Sequence, residues 1–133
     1  MPSILVDSSI LIDVLAVQSV WAAQSDKALR DAANRGLLVI NPIIFAEVSV
    51  GFPRFEDAHI AIPGIFAREE IPYEAAFLAG KAYRTYRKNR GEKRSPLPDF
   101  FIGAHAAIRG YDLLTRDHAR YRTYFPSVRL VAP

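Results

Sequence analysis

Short, unbroken aliphatic runs alternating with longer amphipathic stretches constrain this chain more than any other feature. Ile4-Leu5-Val6, Leu37-Leu38-Val39-Ile40 and Leu113-Leu114 carry no polar alternation. Runs of this length and character read as strands buried on both faces. The pattern predicts strands over 3–6, 37–40, 111–115 and 128–131. Between them, Ser8 and Ser9 are placed to cap a helix over 10–15, and residues 19–35 show helical spacing ended by Gly36. Pro42 opens a helix over 43–50 that is apolar nearly all round, and so is expected to be buried. Residues 54–66 read as a helix broken at Pro63-Gly64, Ile71-Pro72 as a bend or short edge strand, and 73–89 as a strong amphipathic helix. A polar connection over 91–98 leads to a helix over 99–109 ended by Gly110, and a short helix occupies 117–124. Strands alternating with helices imply right-handed crossovers and a parallel sheet covered on both faces. Half of the 133 residues are hydrophobic, and no repeat, low-complexity tract or long linker interrupts them; one domain over 1–133 is expected.

Four carboxylates are lodged in or beside these apolar segments. Asp7 ends the first run, Glu47 interrupts Ile43-Ile44-Phe45-Ala46, Asp99 precedes Phe100-Phe101-Ile102, and Asp117 follows Leu113-Leu114-Thr115-Arg116. An unpaired buried charge costs several kcal/mol or more. No obvious Lys or Arg stands beside each acid as a dedicated partner, so convergence on a shared divalent cation is the economical arrangement. In open parallel sheets ligands bind beyond the carboxyl ends of the strands, and the predicted layout brings all four acids to that rim. Hard cations such as Mg²⁺ or Mn²⁺ take oxygen ligands of this kind. Singly, each acid has a plainer explanation: Asp99 and Asp117 as helix caps, Asp7 as a strand terminator, Glu47 as the partner of a distant Arg. Ser8 and Thr115 are placed to orient substrate or water by hydrogen bonds, or to cap and turn the chain; Ser9 reads as a cap. Asp13, nearly two helical turns beyond Asp7, reads as structural or solvated. His105 reads as a hydrogen-bonded helix residue, and His118 adjoins Asp117 where it could touch a phosphate.

The chain has no cysteine, which excludes disulfides and thiolate metal sites and points to a reducing compartment. No basic leader and no apolar stretch near the ~20 residues of a spanning helix occurs, so a cytoplasmic, membrane-free protein is expected. Net charge is +3, and seven of the 17 Lys and Arg residues fall between Lys81 and Arg94. A second basic group, Arg116, Arg120 and Arg122, follows immediately around Asp117. Basic flanks beside an acidic hole suit a polyanion whose phosphate must approach a metal.

The ordered set Ile4-Leu5-Val6-Asp7-Ser8-Ser9-Ile10-Leu11-Ile12-Asp13, Glu47 in its apolar helix, Pro98-Asp99-Phe100-Phe101-Ile102-Gly103-Ala104-His105-Ala106 and Leu114-Thr115-Arg116-Asp117 resembles the PIN-domain nucleases, and within them the VapC-type toxins. The resemblance runs over essentially the whole chain. It implies a three-layer α/β/α sandwich with a mainly parallel central sheet and a Mg²⁺- or Mn²⁺-dependent endoribonuclease. The metal-binding acids would be Asp7, Glu47, Asp99 and Asp117, with Thr115 and Ser8 as the hydroxyl positions. It further implies an RNA substrate, products with 5′-phosphate and 3′-hydroxyl ends, a homodimer, and a cognate antitoxin that occludes the site. Phe100-Phe101 departs from the smaller residues usual at that point. Two other readings remain open from the residues: a non-catalytic PIN-like binding module working through a protein partner, and a phosphoryl enzyme with Asp7 as nucleophile. The second lacks the further Asp expected two residues on, where Ser9 stands, and no Gly-rich phosphate loop is present.

Overall fold

The computed structural model describes residues 2–15, 19–90 and 97–133. Five strands, β1 (Ser3–Val6), β2 (Leu37–Ile40), β3 (Ala67–Arg68), β4 (Asp112–Leu114) and β5 (Leu130–Val131), form one sheet in the order β3-β2-β1-β4-β5. All four pairings are parallel; Ile4 lies between Leu38 and Asp112, and Leu113 faces Leu130. The helices are α1 (Ser8–Leu15), α2 (Ala22–Arg35), α3 (Pro42–Ser49), α4 (Phe55–Ala61), α5 (Tyr73–Arg90), α6 (Leu97–Arg109) and α7 (His118–Tyr124). The path moves outward from β1 to β3, then returns across the sheet to β4 and β5. Right-handed crossovers therefore place α1–α4 on one face and α5–α7 on the other, giving the expected α/β/α layers.

The three central strands supply the middle of the core. Ile4, Leu5, Val6, Leu38, Val39, Ile40, Leu113 and Leu114 are all buried, because a sheet covered on both faces leaves no wet side. The second face is sealed by aromatic rings. Phe100 packs against Tyr83, Tyr86, Tyr124 and Phe125 at centroid distances of 5.3 to 6.1 Å. The unusual Phe100-Phe101 pair is thus partly explained: Phe100 joins α5, α6 and α7 through one ring.

Two glycines earn their places differently. Gly36 ends α2 in an extended conformation, and any Cβ there would collide with the Pro2 carbonyl. Gly110 ends α6 with φ of +71°, the left-handed geometry that favours glycine.

Some sequence expectations are corrected. The edge strand is at Ala67–Arg68, ahead of Ile71-Pro72, and α4 stops at Ala61 before Pro63 rather than running on to 66. Helix α3 is not buried all round: only Ile44 and Val48 are buried, since α3 packs on α1, α4 and α6 but leaves Ala46 and Val50 to solvent. Helix α6 starts at Leu97, so Asp99 lies inside its first turn. Most of the expected 91–98 connection, with Lys93 and Arg94, lies outside the described residues. Among the described residues no helix is long and apolar enough to cross a membrane.

Candidate active site

Strand β1 sits where the crossovers diverge, β2 on one side and β4 on the other. Crevices open beyond the strand ends at such switch points, and Asp7 is the first residue past β1. Its backbone N–H continues the ladder to the Leu114 carbonyl at 2.9 Å, which fixes the carboxylate at the carboxyl edge of the sheet. The side chain is only 5% exposed.

Asp7 is the hub of a hydrogen-bonded chain. Thr115, fully buried at the end of β4, donates to Asp7 Oδ2 at 2.7 Å and accepts from the Asp117 N–H at 2.9 Å. One hydroxyl thus ties two of the acids together. Ser9 donates to the same Asp7 oxygen at 3.1 Å. Ser8 lies 2.7 Å from Glu47 Oε1 and 3.5 Å from Asp7 Oδ1. Its single proton serves the shorter contact, so Ser8 holds Glu47 across 39 residues of sequence.

Asp99 and Asp117 are joined differently. Arg120 places Nη1 2.6 Å from Asp99 Oδ2 and Nε 3.1 Å from Asp117 Oδ2. The expectation that no basic residue is dedicated to these acids is therefore wrong for this pair. Arg120 is three residues beyond Asp117 on the same helical turn, and α7 packs beside α6; one guanidinium spans both.

Electrostatics mark the cluster as short of positive charge. Burial pushes Asp7 above the usual carboxylate range against the hydrogen bonds from Thr115, Ser9 and Ser8. Glu47 is also raised, by burial and by the Asp7 charge. Burial, reinforced by Glu47, Asp7 and Asp117, lifts Asp99 to about 6 even with Arg120 beside it. Tyr121, almost wholly buried, is held well above its ordinary value by burial and by the charges of Asp7, Asp99 and Glu47.

A divalent cation would meet this deficit. The donors are carboxylate oxygens, the set preferred by Mg²⁺ and Mn²⁺, and all four acids interact through charge. As the side chains stand, though, no three acids among the described residues are close enough to ligate one ion. Arg120 holds two of them.

Sequence reasoning placed Arg120 in the basic group flanking the acids, there to meet a polyanion. It missed that Arg120 pairs with Asp99 and Asp117 and that Tyr121 is buried against the acids. It read Ser9 as a cap, whereas Ser9 also bonds Asp7. The spacing of Arg120 from Asp117 was visible; its reach to Asp99 required the tertiary fold. Asp13 is structural rather than solvated. It is 3% exposed and accepts from Ser19, Ser25 and two nitrogens of Arg116 at 2.6 to 3.1 Å. Arg116 also stacks on Trp21 at 5.1 Å. His105 is a buried helix residue: Asn41 Nδ2 donates to its Nδ1, so Nε2 donates to Glu69, each at 3.0 Å. His118 Nε2 is buried with no hydrogen-bond partner among the described residues.

Comparison with known proteins places this geometry. No curated protein matches the chain by sequence. Similar solved structures include VapBC2 from Rickettsia felis bound to a DNA fragment from their promoter, with 16% identity, a TM-score of 0.74 and 98% of each chain covered. A toxin–antitoxin complex from Klebsiella pneumoniae has 23% identity and a TM-score of 0.67, covering 96% of this chain and 94% of that one. VapC20 of Mycobacterium tuberculosis, a sarcin–ricin loop cleaving toxin, has 13% identity and a TM-score of 0.67, covering 95% and 98%. At such identities the likeness is one of fold. The sequence profile of the PIN domain family matches residues 4–126. With the parallel sheet and the expected layers in place, the chain belongs to the PIN domain family.

Proposed function

We propose that this PIN-domain chain is a divalent-metal-dependent endoribonuclease acting as the toxin of a toxin–antitoxin pair. The observation that carries the reading is the gathering of Asp7, Glu47, Asp99 and Asp117, from four separate segments, at one switch point, where Thr115, Ser8 and Arg120 link them and burial raises Asp7, Glu47 and Asp99. These four would hold Mg²⁺ or Mn²⁺. Such an ion supplies a bound water of lowered pKa and neutralises charge on the phosphate. Thr115 fixes Asp7 and the backbone of Asp117, while Ser8 fixes Glu47 Oε1. That leaves Glu47 Oε2 to take a proton from the attacking water. The water oxygen bonds to phosphorus, the bond to the 3′ oxygen breaks, and that oxygen takes a proton from solvent to leave as a 3′-hydroxyl, while Glu47 returns its proton to solvent. The other fragment keeps a 5′-phosphate. Arg84, Arg87 and Lys88, exposed on α5, supply positive charge for RNA.

A protein partner fits beside the acids. Ile12, Leu15, Val48, Val50 and Phe52 line a groove of about 410 Å³ together with Glu47, and Val50 is 87% exposed. An apolar antitoxin segment laid there would contact Glu47. A second copy of the chain has an apolar face available in Tyr73 and Phe77 of α5, both exposed.

One observation favours the non-catalytic binding module: Arg120 already occupies Asp99 and Asp117. Induced expression in a bacterial host separates the two. The nuclease reading expects growth arrest with RNA fragments bearing 5′-phosphates, both abolished in Asp99→Asn. Equal arrest by wild type and Asp99→Asn, without fragments, would establish the binding module.

A further inference from the structure

We propose that Arg120 is an exchangeable counter-ion, neutralising Asp99 and Asp117 until a divalent cation takes its place at those carboxylates. This rests on the metal-dependent reading of the site and adds to it a competition built into α7. Arg120 has the geometry of a stand-in. Its guanidinium reaches one oxygen of each acid, at 2.6 and 3.1 Å, and so joins two elements that a bridging ion would join. Its side chain is partly exposed, in contrast to the nearly covered Asp99, so a path to solvent is open to the long side chain. The remaining acids, Asp7 and Glu47, are satisfied by hydroxyl donors rather than by a cation of their own. One guanidinium therefore contacts two of the four carboxylates, and its single charge leaves the cluster underneutralised.

A dication beside an unmoved guanidinium would suffer like-charge repulsion in a poorly solvated site. Loading therefore entails release of Arg120 from Asp99 Oδ2. The acids gain a doubly charged partner in exchange for a single charge, and the freed guanidinium remains at the rim of the site. Arg116 does not share this role. Both oxygens of the buried Asp13 and the ring of Trp21 hold it in place.

The test is calorimetric titration of metal-free protein with Mn²⁺, comparing wild type, Arg120→Gln and Arg120→Lys. Removing the competing charge should tighten binding by about tenfold, within the usual range for coupling between two neighbouring sites. Arg120→Lys keeps a charge but as a single point donor that holds one acid at a time, so its affinity should fall between the other two. It also serves if Arg120→Gln fails to fold. Unchanged or weaker Mn²⁺ binding in both variants, with wild type binding normally, would show that Arg120 stays in place on loading, and would overturn the exchange while sparing the metal site. No Mn²⁺ binding by any of the three would overturn the metal reading and the exchange together.

Discussion

Asp99 is pulled in opposite directions. Burial and three neighbouring carboxylates raise it to about 6, while Arg120 at 2.6 Å draws it down. The balance has a consequence for stability. In metal-free protein the unfolded chain ionises Asp99 near 3.8, whereas the folded chain keeps the proton up to about 6. A group raised on folding stabilises the fold fully below its unfolded pKa and loses that contribution as pH rises through the folded one. Wild type should therefore lose stability relative to Asp99→Asn between about pH 4 and about pH 7. Thermal melts across that range check it, and a difference that stays flat or grows with pH would contradict the assigned shift. Saturating Mn²⁺ at neutral pH should restore the lost stability, because it favours the ionised form. At this scale sequence was informative about the acids and poor about their partners. Asp7, Glu47, Asp99 and Asp117 stood out because apolar neighbours make a charge conspicuous. Arg120 stood out only as one of a basic group beside Asp117, because nothing local ties a helix arginine to a particular acid. Its pairing to Asp99, 21 residues away, is a product of folding alone. Asp13 shows the converse: its distance from Asp7 along the helix removed it from the site, but nothing local revealed the Arg116 clamp.

The elements divide by how much of their character is local. Strands β1, β2 and β4 were readable because their aliphatic runs admit no wet face, and Gly36 and Gly110 bounded their helices. The two-residue β3 was not readable: the apolar pair Ile65-Phe66 that leads into it was assigned to the end of the preceding helix, and only Ala67 and Arg68 pair with β2. Helix α3 misled through composition, since apolar residues all round do not ensure a neighbour on every side. Its open flank is what leaves Glu47 within reach of solvent. Gly36 offers a test of element placement. Ala there would drive a Cβ into the Pro2 carbonyl, which is backbone and cannot rotate away. Gly36→Ala should cost about 1–3 kcal/mol, as overpacking does, read from denaturant unfolding. A loss under about 0.5 kcal/mol would mean that the chain before β1 is not seated as described.

The whole molecule combines a parallel sheet, whose switch point gathers acids from distant segments, with an excess of positive charge outside that point. Net charge of +3 persists although the cluster concentrates four carboxylates in one place. RNA would thus be attracted broadly and cut only where its phosphate reaches the acids. Incubation of purified protein with total RNA in EDTA, Mg²⁺ or Mn²⁺, beside Asp99→Asn, tests this most directly. The account predicts discrete fragments with either metal and none with EDTA. The variant should cleave at least ~100-fold more slowly, as when a preorganised electrostatic group is removed from a catalytic site. Cleavage that survives EDTA, or that Asp99→Asn retains in full, would place the chemistry outside the acid cluster.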